Sequence, residues 1–150
     1  MAFSTTLSID FPVAPVAVFN GLADLSGHPL WNSGMISISH TGRMRAGMRY
    51  KVNSIVAGQN ILSEVEVVEL QPPRLIEIVN NTGSVTYHVT YLLEPVGKST
   101  RLVCTMAFEL EGFILRLARP AIEAMAETRL RHDLETLRLL VIEWDKAAPS

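Results

Sequence analysis

"PAIEAMAETRLRHDLETLRLLVIEW", residues 120–144, decides the architecture of this chain. Ile122, Met125, Ala126, Leu130, Leu134, Leu137, Val141 and Trp144 recur at steps of three and four, which is one apolar stripe on a helix. The helical pattern begins at Phe113. Pro120 divides it, either by a kink or by opening a second helix in its first turn. From 120 to 144 the helix would run ~37 Å at about 1.5 Å per residue, enough to cross a whole sheet.

The rest of the chain supplies that sheet. Phe3, Leu7, Ile9 and Phe11 share one parity, with Ser4, Thr6, Ser8 and Asp10 on the other, so this segment is a half-buried strand. Pro12 ends it, and Pro15 suits the first turn of a short helix carrying Val16, Phe19, Leu22 and Ala23. Asp24 or Ser26 is placed to cap a second short helix with Leu30 and Trp31. From 35 to 111 the pattern is strands and turns. Gly58 marks one hairpin and Thr82-Gly83 another. Pro72 and Pro73 break the ladder between strands. Met48, Tyr50 and Val52 share a face, as do Val85, Tyr87, Val89, Tyr91 and Leu93, and Leu102, Cys104, Met106, Phe108 and Leu110. The order is strand, two short helices, about six antiparallel strands, long helix. This predicts an α+β domain in which one helix covers the buried face of a single sheet.

Composition bounds the function. The 150 residues fit one domain, expected to span 1–146 with a disordered tail at 147–150. A net charge of −2 gives no cationic face for nucleic acid or an anionic membrane. The single cysteine, Cys104, allows no internal disulfide. No apolar run is long enough to span a bilayer, and the N-terminus lacks the pattern of a signal peptide, so a cytoplasmic location is expected. No Ser-His-Asp order, phosphate loop, nucleotide fingerprint or metal cluster is visible, and no bound cofactor or metal is expected.

Four phrases carry a resemblance: "IDFPVAPVAVFNGLADLSGHPLWN" at 9–32, "EVEVVELQPPRLIEI" at 64–78, "VTYLLEPVGKSTRLVCTMAFEL" at 89–110 and "RLRHDLETLRLLVI" at 129–142. In this order and spacing the chain resembles the START/Bet v-like (SRPBCC) superfamily, and within it the bacterial polyketide cyclase/dehydrase-like group. The resemblance implies a helix-grip fold: a curved antiparallel sheet of about six to seven strands wrapped around the long C-terminal helix, with an apolar cavity between them. It implies a hydrophobic small-molecule ligand, polyketide- or lipid-like, and leaves open whether that ligand is cyclised or dehydrated, or only carried or sensed. A partner-binding domain of the same fold is a further alternative. Monomer and homodimer both remain open.

The residues expected against a ligand are Phe19, Trp31, Met35, Tyr50, Val65, Tyr87, Tyr91, Met106, Phe108, Leu117, Ile122, Met125, Ala126 and Arg129. Buried phenols need partners, so Tyr50, Tyr87 and Tyr91 face either a ligand oxygen or the backbone and water. Methionines suit a plastic apolar wall. Tyr50, Tyr91 and Arg129 are the catalytic candidates, as groups that could polarise a carbonyl. Arg129 and Asp133, four apart, either pair at the helix rim or offer Arg129 to a ligand oxygen. Trp31, in "DLSGHPLWNSGM", is expected to wall or plug one end of the cavity. His28, His40, His88, His132, the Glu64/Glu66 pair and the Arg43/Arg45/Arg49 cluster read mainly as solvated or structural, and Cys104 as a small buried apolar residue.

Overall fold

Alternation governs the sheet. The computed structural model describes residues 3–148. In it β1 (Phe3–Phe11) turns Leu7, Ile9 and Phe11 into the core and Asp10 outward. α1 (Pro15–Ala23) has its proline in the first turn and buries Phe19, Leu22 and Ala23. A 3₁₀ turn at Leu25–Gly27 follows. Its cap is Asp24, whose carboxylate accepts from the Ser26 N–H at 3.1 Å and hydroxyl at 2.6 Å. α2 (His28–Trp31) is one turn long. Then come β2 (Met35–Ile38), β3 (Arg49–Val56), β4 (Gln59–Gln71), β5 (Leu75–Asn80), β6 (Val85–Val96) and β7 (Ser99–Leu110), and last α3 (Phe113–Ala147).

The seven strands form one antiparallel sheet in the order β1-β7-β6-β5-β4-β3-β2. The first strand therefore lies beside the last, and β2 is the opposite edge. A bulge between Val67 and Glu69 bends β4. The sheet curls into a half-barrel around α3. This is the helix-grip architecture.

Register lines up the inward side chains. Tyr50, Val65, Asn80, Tyr87, Phe108 and Phe3 stand in one row across six strands. The Phe3 and Phe108 rings stack at 5.3 Å, and Tyr87 tilts against Phe108 at 6.3 Å. Asn80 is the polar member of the row and is fully buried. Its amide donates to the carbonyls of Thr82 (2.9 Å) and Val85 (2.8 Å). Its oxygen accepts from the Glu64 and Thr82 N–H groups, both at 3.1 Å, and from the Thr82 hydroxyl at 2.6 Å. Every valence of the amide is used, which pins the β5–β6 turn to β4. Gly83 in that turn has φ +75°, and a Cβ there would stand 2.9 Å from the Leu62 carbonyl oxygen.

α3 is one 35-residue helix, ~52 Å at about 1.5 Å per residue. It runs through Pro120 unbroken, so the option of a second helix opening there is corrected. The proline removes one N–H donor while the turns on either side keep theirs. The helix also continues through Ala147 with Ala148 as its cap, so the expected tail begins too early; residues 149–150 lie outside the described part.

The two halves of α3 differ. Leu130, Leu134, Leu137 and Val141 are buried against β1 and α1. Gly21 permits this approach, because a Cβ on it would meet Val141 Cγ2 at 2.7 Å. Towards the N-terminus the stripe lifts off the sheet: Ile122 is half-buried and Met125 is 55% exposed. The helix is fastened again at Leu115, which packs with Ile61 and Val85 in a second, smaller core. Between the two cores the sheet and helix do not meet.

Candidate functional site

That gap is a cavity of about 390 Å³. Its volume lies within the ~300–1,000 Å³ range of small-molecule sites. β3 to β7 form the floor with Phe3 of β1 at its margin, α3 the roof from Ala118 to Asp133, and the α2–β2 connection one end.

Of the residues singled out from sequence, Trp31, Met35, Tyr50, Val65, Tyr87, Tyr91, Met106, Phe108, Ile122, Met125, Ala126 and Arg129 line this space. Parity places the strand residues, and the α3 stripe places Ile122 and Ala126. Two do not line it. Leu117 is 67% exposed, because Ala118 and Ile122 hold the inward phase of the helix there. Phe19 is buried, but α1 packs on the C-terminal half of α3, away from the cavity. Both expectations are corrected.

The phenols are protonated donors at neutral pH. Burial raises the pKa of Tyr50, Tyr87 and Tyr91 above the ordinary tyrosine value, and neighbouring ionisable groups, Tyr87 for Tyr50 and Cys104 first for Tyr91, add to it. The Ser63 hydroxyl beside Tyr87 opposes part of its shift. Among the described residues no such partner stands by Tyr50 or Tyr91. Cys104, cross-strand from Tyr91, is fully buried, and burial pushes its thiol up to about 12.

At the α2 end, His28 is buried, and burial holds its pKa below the ordinary value against the Leu22 carbonyl and the Asp24 charge. The neutral ring donates from Nε2 to the Leu22 oxygen at 2.7 Å, leaving Nδ1 as an acceptor. Its ring meets Trp31 edge-on at 5.1 Å. The Trp31 indole N–H is buried with no hydrogen-bond partner among the described residues.

Arg129 and Asp133 both line the cavity, yet no ion pair joins them among the described residues. Asp133 is buried; its Oδ1 accepts from the Ser33 N–H at 3.3 Å and lies 3.4 Å from His132 Nδ1. Arg129 reaches the α2–β2 connection, where a Cβ on Gly34 would stand 3.4 Å from Nη1.

The other polar groups lie outside. The basic cluster is split: Arg43 donates to Asn20 Oδ1 at 2.8 Å, and Arg49 pairs with Glu66 at 2.9 Å on the outer face. Glu64 and Arg45 are exposed. His88 pairs with Glu77, His40 bonds Ser39 and His132 is exposed. Sequence reasoning missed Asn32, Ser54 and Ser63 in the wall. Ser63 was legible: it shares parity with Ile61 and Val65. Asn32 lies in a connection where no periodicity applies.

A curled antiparallel sheet gripping one long helix over an apolar cavity defines the START/Bet v-like class of protein. Residues 2–141 match the model of the family described as "Polyketide cyclase / dehydrase and lipid transport", and the chain belongs to that family. Among curated proteins none matches it. Similar solved structures include a protein of Thermus thermophilus (21% identity, 94% of this chain and 98% of that one, TM-score 0.80). The Zhui aromatase/cyclase of a Streptomyces species is also similar (17%, 94% and 94%, TM-score 0.79). So is a START superfamily protein of Mycobacterium smegmatis (16%, 94% and 98%, TM-score 0.75). At these identities the likeness is one of fold. Among the described residues no helix is long and apolar enough to cross a membrane, and no three His, Cys, Asp or Glu side chains are grouped to hold a metal ion.

Proposed function

We propose that this protein binds a hydrophobic small molecule, polyketide- or lipid-like, between α3 and the sheet, and that it promotes cyclisation or dehydration of that molecule. One observation carries the reading. The cavity is walled mainly by Val, Ile, Met, Phe and Tyr side chains, and two of its phenols, Tyr50 and Tyr91, have no partner among the described residues.

Binding draws on apolar burial, at about 25 cal/mol per Å² before ordering costs. Catalysis follows from confinement. A flexible chain held folded in a water-poor space brings its reacting carbons together without an entropy cost at the moment of reaction. A Tyr50 or Tyr91 hydroxyl then donates to a substrate carbonyl and stabilises the negative charge that develops on its oxygen. Arg129, at the cavity margin, is suited to the enolate oxygen that develops on a neutral substrate during reaction.

A second reading has its own support. The one buried imidazole in the wall already spends its N–H on the Leu22 carbonyl, so the acid–base inventory is thin. This favours a carrier or sensor in which no bond changes.

Native mass spectrometry of the purified protein with a library of polyketides and fatty acids tests binding; no retained apolar ligand refutes both readings. For a ligand that binds, product formation is compared between wild type and Tyr50→Phe, Tyr91→Phe and Arg129→Ala. Rates that fall in the variants support the enzyme, and no turnover in any of them supports the carrier.

A further inference from the structure

α3 carries four acid–base pairs at i,i+4 spacing: Arg119/Glu123, Glu127/Arg131, Arg129/Asp133 and Arg131/Glu135. The first two close, at 2.7 Å and 3.4 Å. Glu127 takes Arg131, which leaves exposed Glu135 without it; Arg129/Asp133 is also open among the described residues, and it is the pair that faces the cavity. Orientation along the helix does not explain this, because Arg119/Glu123 runs in the same base-then-acid direction and closes.

Asp133 is the odd member. Its side chain is only 10% exposed, in the wall of a largely apolar space. Both of its protein contacts fall on Oδ1 and both are long, at 3.3 and 3.4 Å. A carboxylate accepts about four hydrogen bonds; here the described residues reach only Oδ1, which leaves Oδ2 open to a donor from the cavity. The Tyr91 phenol lines the same cavity.

We propose that Asp133 selects the ligand: the cavity takes a neutral, ring-sized apolar molecule bearing a hydroxyl, which donates to the Asp133 carboxylate. This rests on the ligand-binding reading above and names the chemistry that reading leaves open. Neutrality follows from the open pair. An ammonium ligand would meet the Arg129 guanidinium, and a carboxylate ligand would meet Asp133. A hydroxyl satisfies Asp133 and its oxygen can still accept from Arg129 or Tyr91.

The test uses 2-naphthol and 2-methylnaphthalene, matched in shape and differing in one donor, with affinities measured by calorimetry. Wild type is expected to prefer the naphthol by about tenfold, the ratio a charge-assisted hydrogen bond supplies. Asp133→Leu should bring the ratio close to one, and Asp133→Asn, which keeps an acceptor without its charge, should reduce it about threefold. If Asp133→Leu does not fold, Asp133→Asn and the wild-type ratio carry the test. Equal binding of the two probes to wild type overturns this proposal and leaves the cavity reading standing. A preference that survives in the variants also overturns it. Failure of both probes to bind overturns it together with the cavity reading.

Discussion

Asn80→Asp changes one NH₂ to oxygen in the row of inward side chains, and its cost depends on pH in a calculable way. In the wild type the amide nitrogen donates to the Thr82 and Val85 carbonyls at 2.9 and 2.8 Å. A neutral aspartic acid can donate to one of them and orphans the other, at about 1–3 kcal/mol for a buried acceptor. A charged aspartate donates to neither and is fully buried beside two carbonyl oxygens. Three donors remain on the other oxygen, from Glu64 and Thr82, and offset part of this. The folded carboxyl pKa therefore rises above the unfolded value of about 3.9, by ~2–3 units given the ~3–5 seen for fully buried groups without compensation. The folded state binds the proton more tightly. The deficit against wild type is thus smallest and flat below pH ~4, and grows by about 1.4 kcal/mol per pH unit until the folded pKa is passed. At neutral pH the total is about 4–7 kcal/mol, as large as the whole stability of many domains. Urea denaturation of both proteins from pH 4 to 7.5 measures the difference directly. A deficit that does not change with pH, or a variant as stable as wild type at pH 7, refutes the reasoning.

Three further outcomes follow from other contacts. Gly21→Ala gains about 1 kcal/mol of helix propensity but drives a Cβ within 2.7 Å of Val141 Cγ2, so a net loss of ~1–2 kcal/mol is expected in urea denaturation, and a stabilised variant refutes the close approach. Cys104, buried and with its thiol pushed up to about 12, should react with a thiol reagent at pH 8 only as fast as the protein unfolds; prompt labelling of the native state would contradict its placement. His28 is held neutral with its folded pKa below 6.5, so wild-type stability should fall as pH drops below about 6.5, where the unfolded ring protonates first. His28→Gln should flatten that limb of a thermal-stability profile, and an unchanged limb assigns it to other groups.

The sheet is readable in the sequence because side chains alternate with period two, and Leu7, Tyr50, Val65 and Cys104 obey that period without exception. The helix is readable from its stripe, but the stripe alone does not tell contact from gap. Leu137 and Ala126, eleven residues apart, share nearly the same helical phase, yet one is sealed in the core and the other lines the cavity. The difference lies in where α1 and the second core fasten the helix, which depends on Gly21 and Leu115, residues unremarkable in a one-dimensional pattern. The same limit hides Leu117: its neighbour Ala118 is apolar too, and only the phase of the packed helix separates them. In sequence Asp133 is half of a rim pair, because spacing shows which side chains can meet and not what else competes for them.

Pairing β1 with β7 has a consequence for how the chain acquires its structure. Thr6 and Thr105, joined across that ladder, are 99 residues apart in sequence. The β2–β7 ladders join neighbours in sequence and can zip locally, whereas the first strand must wait for nearly the whole domain. Closing so long a loop adds an entropy cost late, so folding should be slow for a chain of this size. Until it closes, β7 presents an unpaired edge bearing Val103 and Thr105, the stage at which a growing chain is most exposed to pairing with another copy of itself.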